Sequence, residues 1–300
     1  MPTVDGLSPS CVALPPGPWP TVLDFFCERF AQVSRADWVA RMQAGKVVDA
    51  QGAVVTPERA YAKELRVWYY RERDDETPIA AQAQVLFQDE WLVVADKPHF
   101  LPVIPSGRHV RETLLVRLKH QLGIDTLTPI HRIDRETAGV VAFAVQPATR
   151  GAYQRLFEQR AVRKQYEAIV HWPPRYPLPA VYRSRMESVF MRSEEVAGEP
   201  NSETALELLE VRDALARLAL RPTTGRKHQL RVHCCALGMP ILGDGIYPTL
   251  RAEGDDDLSQ PLQLLASTLA FTDPVTGAER QFSSRQALTF PSAMPVRPMP

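Results

Sequence analysis

Short extended runs joined by turns recur from residue 85 to residue 282, and this pattern restricts the fold more than any bulk property of the chain. Residues 85–87 and 91–95 face each other across a polar turn at Asp89 and Glu90. Residues 204–211 and 214–220 pair across Arg212 and Asp213, and residues 262–271 and 279–282 flank the turn from Asp273 to Gly277. Residues 139–145 form a continuous apolar run of the kind buried on both faces of a sheet. Val162, Lys164, Tyr166, Ala168 and Val170 alternate with Arg163, Gln165, Glu167 and Ile169, which makes a strand with two distinct faces. Helical patterns are predicted at 111–122, 149–159 and 226–237. Hairpins mixed with isolated helices predict an α+β fold with a mixed, largely antiparallel central sheet flanked by helices, rather than a doubly wound parallel one. No internal repeat is visible.

A smaller unit is expected ahead of this one, because 300 residues exceed the usual size of a single domain. Leu23, Phe26, Cys27 and Phe30 lie on one helical stripe. Ser34 with Asp37 resembles a capping box, Trp38, Val39 and Met42 supply the next apolar face, and Gly45 stops that helix. Extended runs follow at 46–48, 53–55 and 65–70. The charged stretch 71–77 before Pro78 reads as a linker. Prolines crowd the first twenty and last ten residues, where extended, weakly ordered arms are expected. The predicted division is a flexible arm (1–20), a small α/β module (21–72), a linker (73–84), a main domain (85–290) and a flexible tail (291–300).

The 35 basic and 35 acidic side chains cancel, so a polyanionic partner must meet local positive charge. Hydrophobic residues at 45% and charged ones at 23% exclude a disordered or fibrous chain. Residues 150–170 carry Arg150, Arg155, Arg160, Arg163 and Lys164 against Glu158 and Glu167, while Glu253 and residues 255–257 make an acidic loop. Cys11, Cys27, Cys234 and Cys235 form no C-x-x-C pair, which suggests neither a zinc site nor a disulfide framework. With no secretory signal and no apolar run long enough for a bilayer, a cytoplasmic protein without membrane association is expected.

Two stretches carry chemistry. His131 to Gly139 reads H-R-I-D-R-E-T-A-G directly before the apolar run. Positive charge on both sides of Asp134 favours its ionised form and suits a nucleophile, although a surface ion pair would use the same residues. Residues 220–233 hold four cations and no acid, suited to a phosphate backbone at a helix start or to a merely basic helix face. His228 and His233 are five apart, which is poor spacing for a metal on one helical face. There is no nucleotide-binding glycine loop, so neither metal nor cofactor is expected. Asp134 and Glu136 also invite a paired-carboxylate glycosidase reading.

These residues resemble the RluA family of RNA pseudouridine synthases. The resemblance spans residues 85–282. It rests on His131 to Gly139 against H-R-L/I-D-x-x-T-S/A-G, on Leu92 to Pro98, on Val162 to Ala168 with its K-x-Y core, and on Leu220 to Val232 followed by Gly238 to Asp244. Ala138, Lys227 and Leu265 depart from the commoner Ser, Thr or Ser, and His. The segment 22–70 resembles the small RNA-binding module of ribosomal-protein S-four type that often precedes this domain.

The resemblance implies the pseudouridine synthase fold and an isomerase of uridine in structured ribosomal or transfer RNA, acting as a monomer and without cofactor. Asp134 would act on the sugar, either by attacking it or by removing a neighbouring proton, and the sequence is compatible with both routes. Arg226 would be the ion-pair partner of Asp134. Tyr166 would stack on the uracil and serve in loss of its carbon 5 proton. Arg132 would fill the gap left by a flipped base. His131 and Thr137 would belong to the substrate-binding loop, and Lys97, Lys164, Lys227 and Arg231 would contact the RNA backbone. Two rival classes share parts of this set: a non-catalytic RNA-binding or assembly protein, and a nucleoside or glycoside hydrolase.

Overall fold

The computed structural model describes residues 3–71, 76–173, 177–251 and 257–291. Most of the expected linker's charged run (72–75), Glu253 with residues 255 and 256 of the acidic loop, and residues 292–300 of the expected tail lie outside these. The chain divides into two compact units, one of residues 1–77, 105–112 and 116–125, the other of residues 78–104, 113–115 and 126–300.

The small unit contains β1 (Ser10–Ala13), α1 (Val22–Arg29), α2 (Arg35–Gln43), β2 (Val47–Asp49) and β3 (Arg66–Tyr69). Both helices are capped as their sequences require. Thr21 Oγ1 accepts from the Asp24 N–H at 3.1 Å, and Ser34 Oγ accepts from the Asp37 N–H at 3.1 Å. Phe26, Trp38 and Tyr69 pack edge to face in the core, with Phe26 and Trp38 centroids 4.6 Å apart. The sheet order is β1-β3-β2, all antiparallel.

The flexible arm expected at 1–20 is not what forms. Residues 10–13 pair with residues 66–69, so β3 has hydrogen-bonding neighbours on both edges, and Leu14 is buried in the same core at 2% exposure. Pro9 and Pro15 bracket β1 without entering it, and no ladder donor is lost.

The large unit comprises β4 (Gln84–Gln88), β5 (Leu92–Lys97), α3 (Leu114–Leu122, whose residues from 116 group with the small unit), β6 (Thr128–Pro129), β7 (Ala138–Ala144), α4 (Arg150–Glu158), β8 (Arg163–His171), β9 (Val181–Ser188), β10 (Ser193–Val196), β11 (Ser202–Arg212), β12 (Leu215–Pro222), α5 (Gln229–Ala236), β13 (Leu264–Thr272) and β14 (Glu279–Ser283). One sheet runs β10-β9-β11-β12-β8-β13-β7-β5-β4, with β14 beside β13 and β6 beside β7. Among the described residues its only parallel pair is β13 with β7. This is the mixed, largely antiparallel sheet of an α+β fold, and the β11–β12 hairpin turns where expected, with Asp213 at φ 54°.

Leu218, Leu220, Leu264 and Met239 form a core with Leu230 and Cys234 of α5. Tyr153 of α4 joins Leu92, Val140, Ala142 and Phe271. At the parallel seam Gly139 has φ +116°, and a Cβ there would lie 2.2 Å from the Ala266 carbonyl oxygen. Only glycine lets β7 approach β13 so closely. Ala138 and Leu265, two of the departures from the family pattern, are register partners at this seam. β9 and β10 have no counterpart among the strands expected from sequence.

Candidate active site

The loop from His131 to Thr137 leads into β7 and is held from several sides. His131 Nε2 accepts the Ala142 N–H at 3.1 Å while its ring stacks on Phe157 at 4.8 Å. An accepting Nε2 requires the neutral ring, and burial together with the Lys164 charge pushes the pKa of His131 down to about 3. Lys97 at the end of β5 is fully buried and donates from Nζ to the carbonyls of Arg135 (3.0 Å) and Pro98 (2.9 Å). Burial pulls its pKa to about 7, against the opposing pull of Glu136 and Asp134. Within the loop, buried Thr137 donates its N–H to the Asp134 carbonyl at 3.2 Å.

This scaffold presents the Asp134 carboxylate beside α5. Arg231 Nη1 lies 3.6 Å from Asp134 Oδ2 and 3.4 Å from Glu136 Oε2, while its Nε and Nη2 engage both oxygens of Asp244 at 2.8 and 2.6 Å. Arg231 is 1% exposed. Burial opposes its charge, but the Asp244 hydrogen bonds and the three carboxylates hold its pKa above the usual arginine value. Burial would raise the Glu136 carboxyl, yet the Arg231 and Arg135 guanidiniums outweigh it and hold it below its usual range. Arg231 is thus fixed by Asp244 on one edge and extends its other edge to Asp134.

Asp134 opens onto a cleft of about 560 Å³ lined among others by Arg132, Thr137, Lys164, Tyr166, Arg226 and His228. Tyr166 on β8 is brought there across β13, which lies between β8 and β7. Burial, reinforced by the Asp134 charge, raises its phenol above the ordinary tyrosine pKa, so the hydroxyl stays protonated. Lys164 donates from Nζ to the Thr224 carbonyl at 2.8 Å, and burial with the Arg160 charge lowers its pKa to about 8. Arg132 is exposed at the cleft, and Lys227 is exposed beyond its lining.

Three expected positions need correction. The guanidinium beside Asp134 is that of Arg231, whereas Arg226 donates from Nε to the Asn201 carbonyl at 3.2 Å. The reason is a shift in the helix start. α5 begins at Gln229 rather than Arg226, after His228 in a left-handed conformation, and this leaves Arg226 and Lys227 exposed while Arg231 is directed inward. Arg231 and Lys97, expected at the RNA backbone, are both buried and committed to protein partners, and neither can reach a phosphate. Asp244 and His228 carry no expected role although both quoted segments contain them. Asp244 has no local signal, since it meets Arg231 only through the fold. The sequence does show His228 as an imidazole within the basic stretch, where its spacing from His233 speaks only against a metal site.

Among the described residues no group of three or more His, Cys, Asp or Glu is arranged to hold a metal ion, and no helix is long and apolar enough to cross a membrane. A carboxylate beside a buried guanidinium, lining one cleft with a phenol, provides for nucleophilic or acid–base chemistry. Comparison with known proteins narrows that class. The family described as RNA pseudouridylate synthase matches residues 91–236. The dual-specificity RNA pseudouridine synthase RluA of Haemophilus influenzae is 32% identical over 69% of this chain and 95% of its own length. The RluA of Escherichia coli K12 is 33% identical over 67% of this chain and 91% of its own. The solved structure titled human RNA pseudouridylate synthase domain containing 4 superposes with a TM-score of 0.52 at 29% identity, over 68% of this chain and 88% of that one. The chain belongs to the RluA-type family of RNA pseudouridine synthases, which are isomerases.

Proposed function

We propose that this pseudouridine synthase, working as a cytoplasmic monomer, modifies particular uridines of ribosomal or transfer RNA, with Asp134 as the group that acts on the ribose. The observation that carries the assignment is the clamp on that carboxylate: Arg231, immobilised by Asp244, leaves one edge for Asp134 at 3.6 Å. The reaction breaks the bond between the uracil ring nitrogen and the anomeric carbon, turns the base, and rejoins it through carbon 5, whose proton is lost. Attack on the sugar and removal of the neighbouring proton both remain compatible with the site.

Tyr166 serves as the stacking surface for the detached uracil. Because its phenol stays protonated, it cannot by itself hold the carbon 5 proton. It can accept that proton only while passing its own to a neighbouring base, and Asp134 is close enough for its charge to be felt. Arg132 takes the place of the flipped base in the RNA stack. Lys164, Arg226 and Lys227 meet the phosphates, so affinity falls linearly with salt on a log–log scale.

The test is to incubate Asp134→Asn and the parent with cellular RNA from a strain lacking the gene. The variant is expected to bind RNA and form no pseudouridine. Appreciable turnover would remove Asp134 from the reaction, free uracil from the parent would indicate a hydrolase, and binding without product from both would indicate an assembly protein. Maps of pseudouridine in total RNA with and without the gene identify the target.

A further inference from the structure

His228 has no role in the chemistry described so far, yet its ring is held in one orientation and one tautomer. It stands ahead of α5 with φ 57°, nearly buried. Its Nδ1 lies 3.1 Å from the Tyr247 hydroxyl. That hydroxyl donates its only proton to the Ser193 carbonyl and accepts the Ser193 N–H, both at 2.8 Å. Nδ1 must therefore be the donor to Tyr247, which leaves Nε2 of the neutral ring as an acceptor. Burial keeps the ring neutral, helped by Arg231 and Lys227 and opposed by Asp134 and Glu136. Nε2 has no hydrogen-bond partner among the described residues. It faces Asp134 Oδ1 at 3.9 Å, and both line the cleft.

Two acceptors across one gap need a donor from whatever enters. To act on the anomeric carbon or on the neighbouring C–H, the Asp134 oxygen must come within about 3–3.5 Å of the reacting atom. The ribose 2′-oxygen is one bond from the carbon bearing that hydrogen, so it comes to lie at this gap. We propose that His228 accepts the hydrogen bond of the target ribose 2′-hydroxyl and thereby selects ribose over deoxyribose. Accepting that hydrogen bond also leaves the facing Asp134 oxygen uncommitted for the reaction. Tyr247 is a positioning residue that fixes the accepting tautomer. The inference rests on Asp134 being the group that acts on the sugar.

The test uses the full chain and two short synthetic stem–loops carrying the mapped target uridine, identical except for 2′-hydroxyl or 2′-hydrogen at that nucleotide. The parent is expected to bind the ribose form about tenfold more tightly, the worth of one neutral hydrogen bond. In His228→Leu the ratio should fall towards one. His228→Gln, which offers an amide oxygen near the Nε2 position, should keep most of it. Tyr247→Phe, which keeps the imidazole but frees its tautomer, should lower it, an effect that packing alone would not produce. A parent ratio near one, or an undiminished ratio in His228→Leu, overturns the proposal. If Asp134→Asn still isomerises, the site assignment has failed; if that variant is inactive while His228→Leu keeps its discrimination, only the role of His228 has.

Discussion

Replacing Arg231 with methionine keeps the aliphatic stem and removes the cation shared by three carboxylates. Asp134, Glu136 and Asp244 would then face one another, with buried Lys97 as a nearby cation. Removing one partner of a buried ion pair costs about 3–5 kcal/mol, a fall in melting temperature on the order of 10 °C for a domain of this size. The sign of the pH dependence follows from Glu136. Its carboxyl is held below the usual value largely by Arg231 and Arg135, so it contributes stability that is present above its unfolded pKa of about 4.3 and lost as pH falls through the lower folded value. The variant has lost much of that contribution, so the gap between parent and variant should be widest near neutrality and narrow as pH drops below about 4. Thermal melting of both proteins around pH 7 and around pH 4 measures it. A gap under about 1 kcal/mol, or one that is the same at both pH values, would refute the account of Arg231 as the buried clamp.

Tyr166→Phe should bind RNA normally and lose pseudouridine formation by at least about tenfold, consistent with a general acid–base role; single-turnover assays read this, and an unchanged rate would reduce the ring to packing. Arg132→Ala should impair a structured RNA more than a short flexible strand, and equal losses in side-by-side kinetics would remove the wedge. Gly139→Ala should destabilise the fold by about 2–6 kcal/mol, combining backbone strain with overpacking against Ala266, as read by melting.

What the sequence discloses depends on the range of the interactions involved. The Ser34 cap, the β11–β12 hairpin and the buried run of β7 are set by neighbours a few residues away, and periodicity and turn chemistry expose them. The loop holding Asp134 is legible through its resemblance to the family's H-R-L/I-D motif, since its flanking arginines alone would suit a surface ion pair as well. The partner of its carboxylate is not, because Arg231 and Arg226 look alike as cations in a basic stretch. Only the turn at His228 and the distant Asp244 decide which one faces inward. Lys97 reads as a phosphate contact until the sheet closes over it. β1 hides among prolines because its partner lies more than fifty residues away. β9 mixes Arg183, Arg185 and Glu187 with a single buried position, Met186, and gives no clean alternation.

The strand between β7 and β8 comes late in the chain. Asp134 enters the cleft just before β7, Tyr166 rises from β8, and residues 264–272 of β13 hold the two strands one position apart. A nascent polypeptide halted before residue 264 already contains Asp134, Arg231 and Tyr166, but nothing to space the two strands. The two strands can therefore take up their spacing only once β13 has been made, and a chain halted before it is expected to be silent towards RNA.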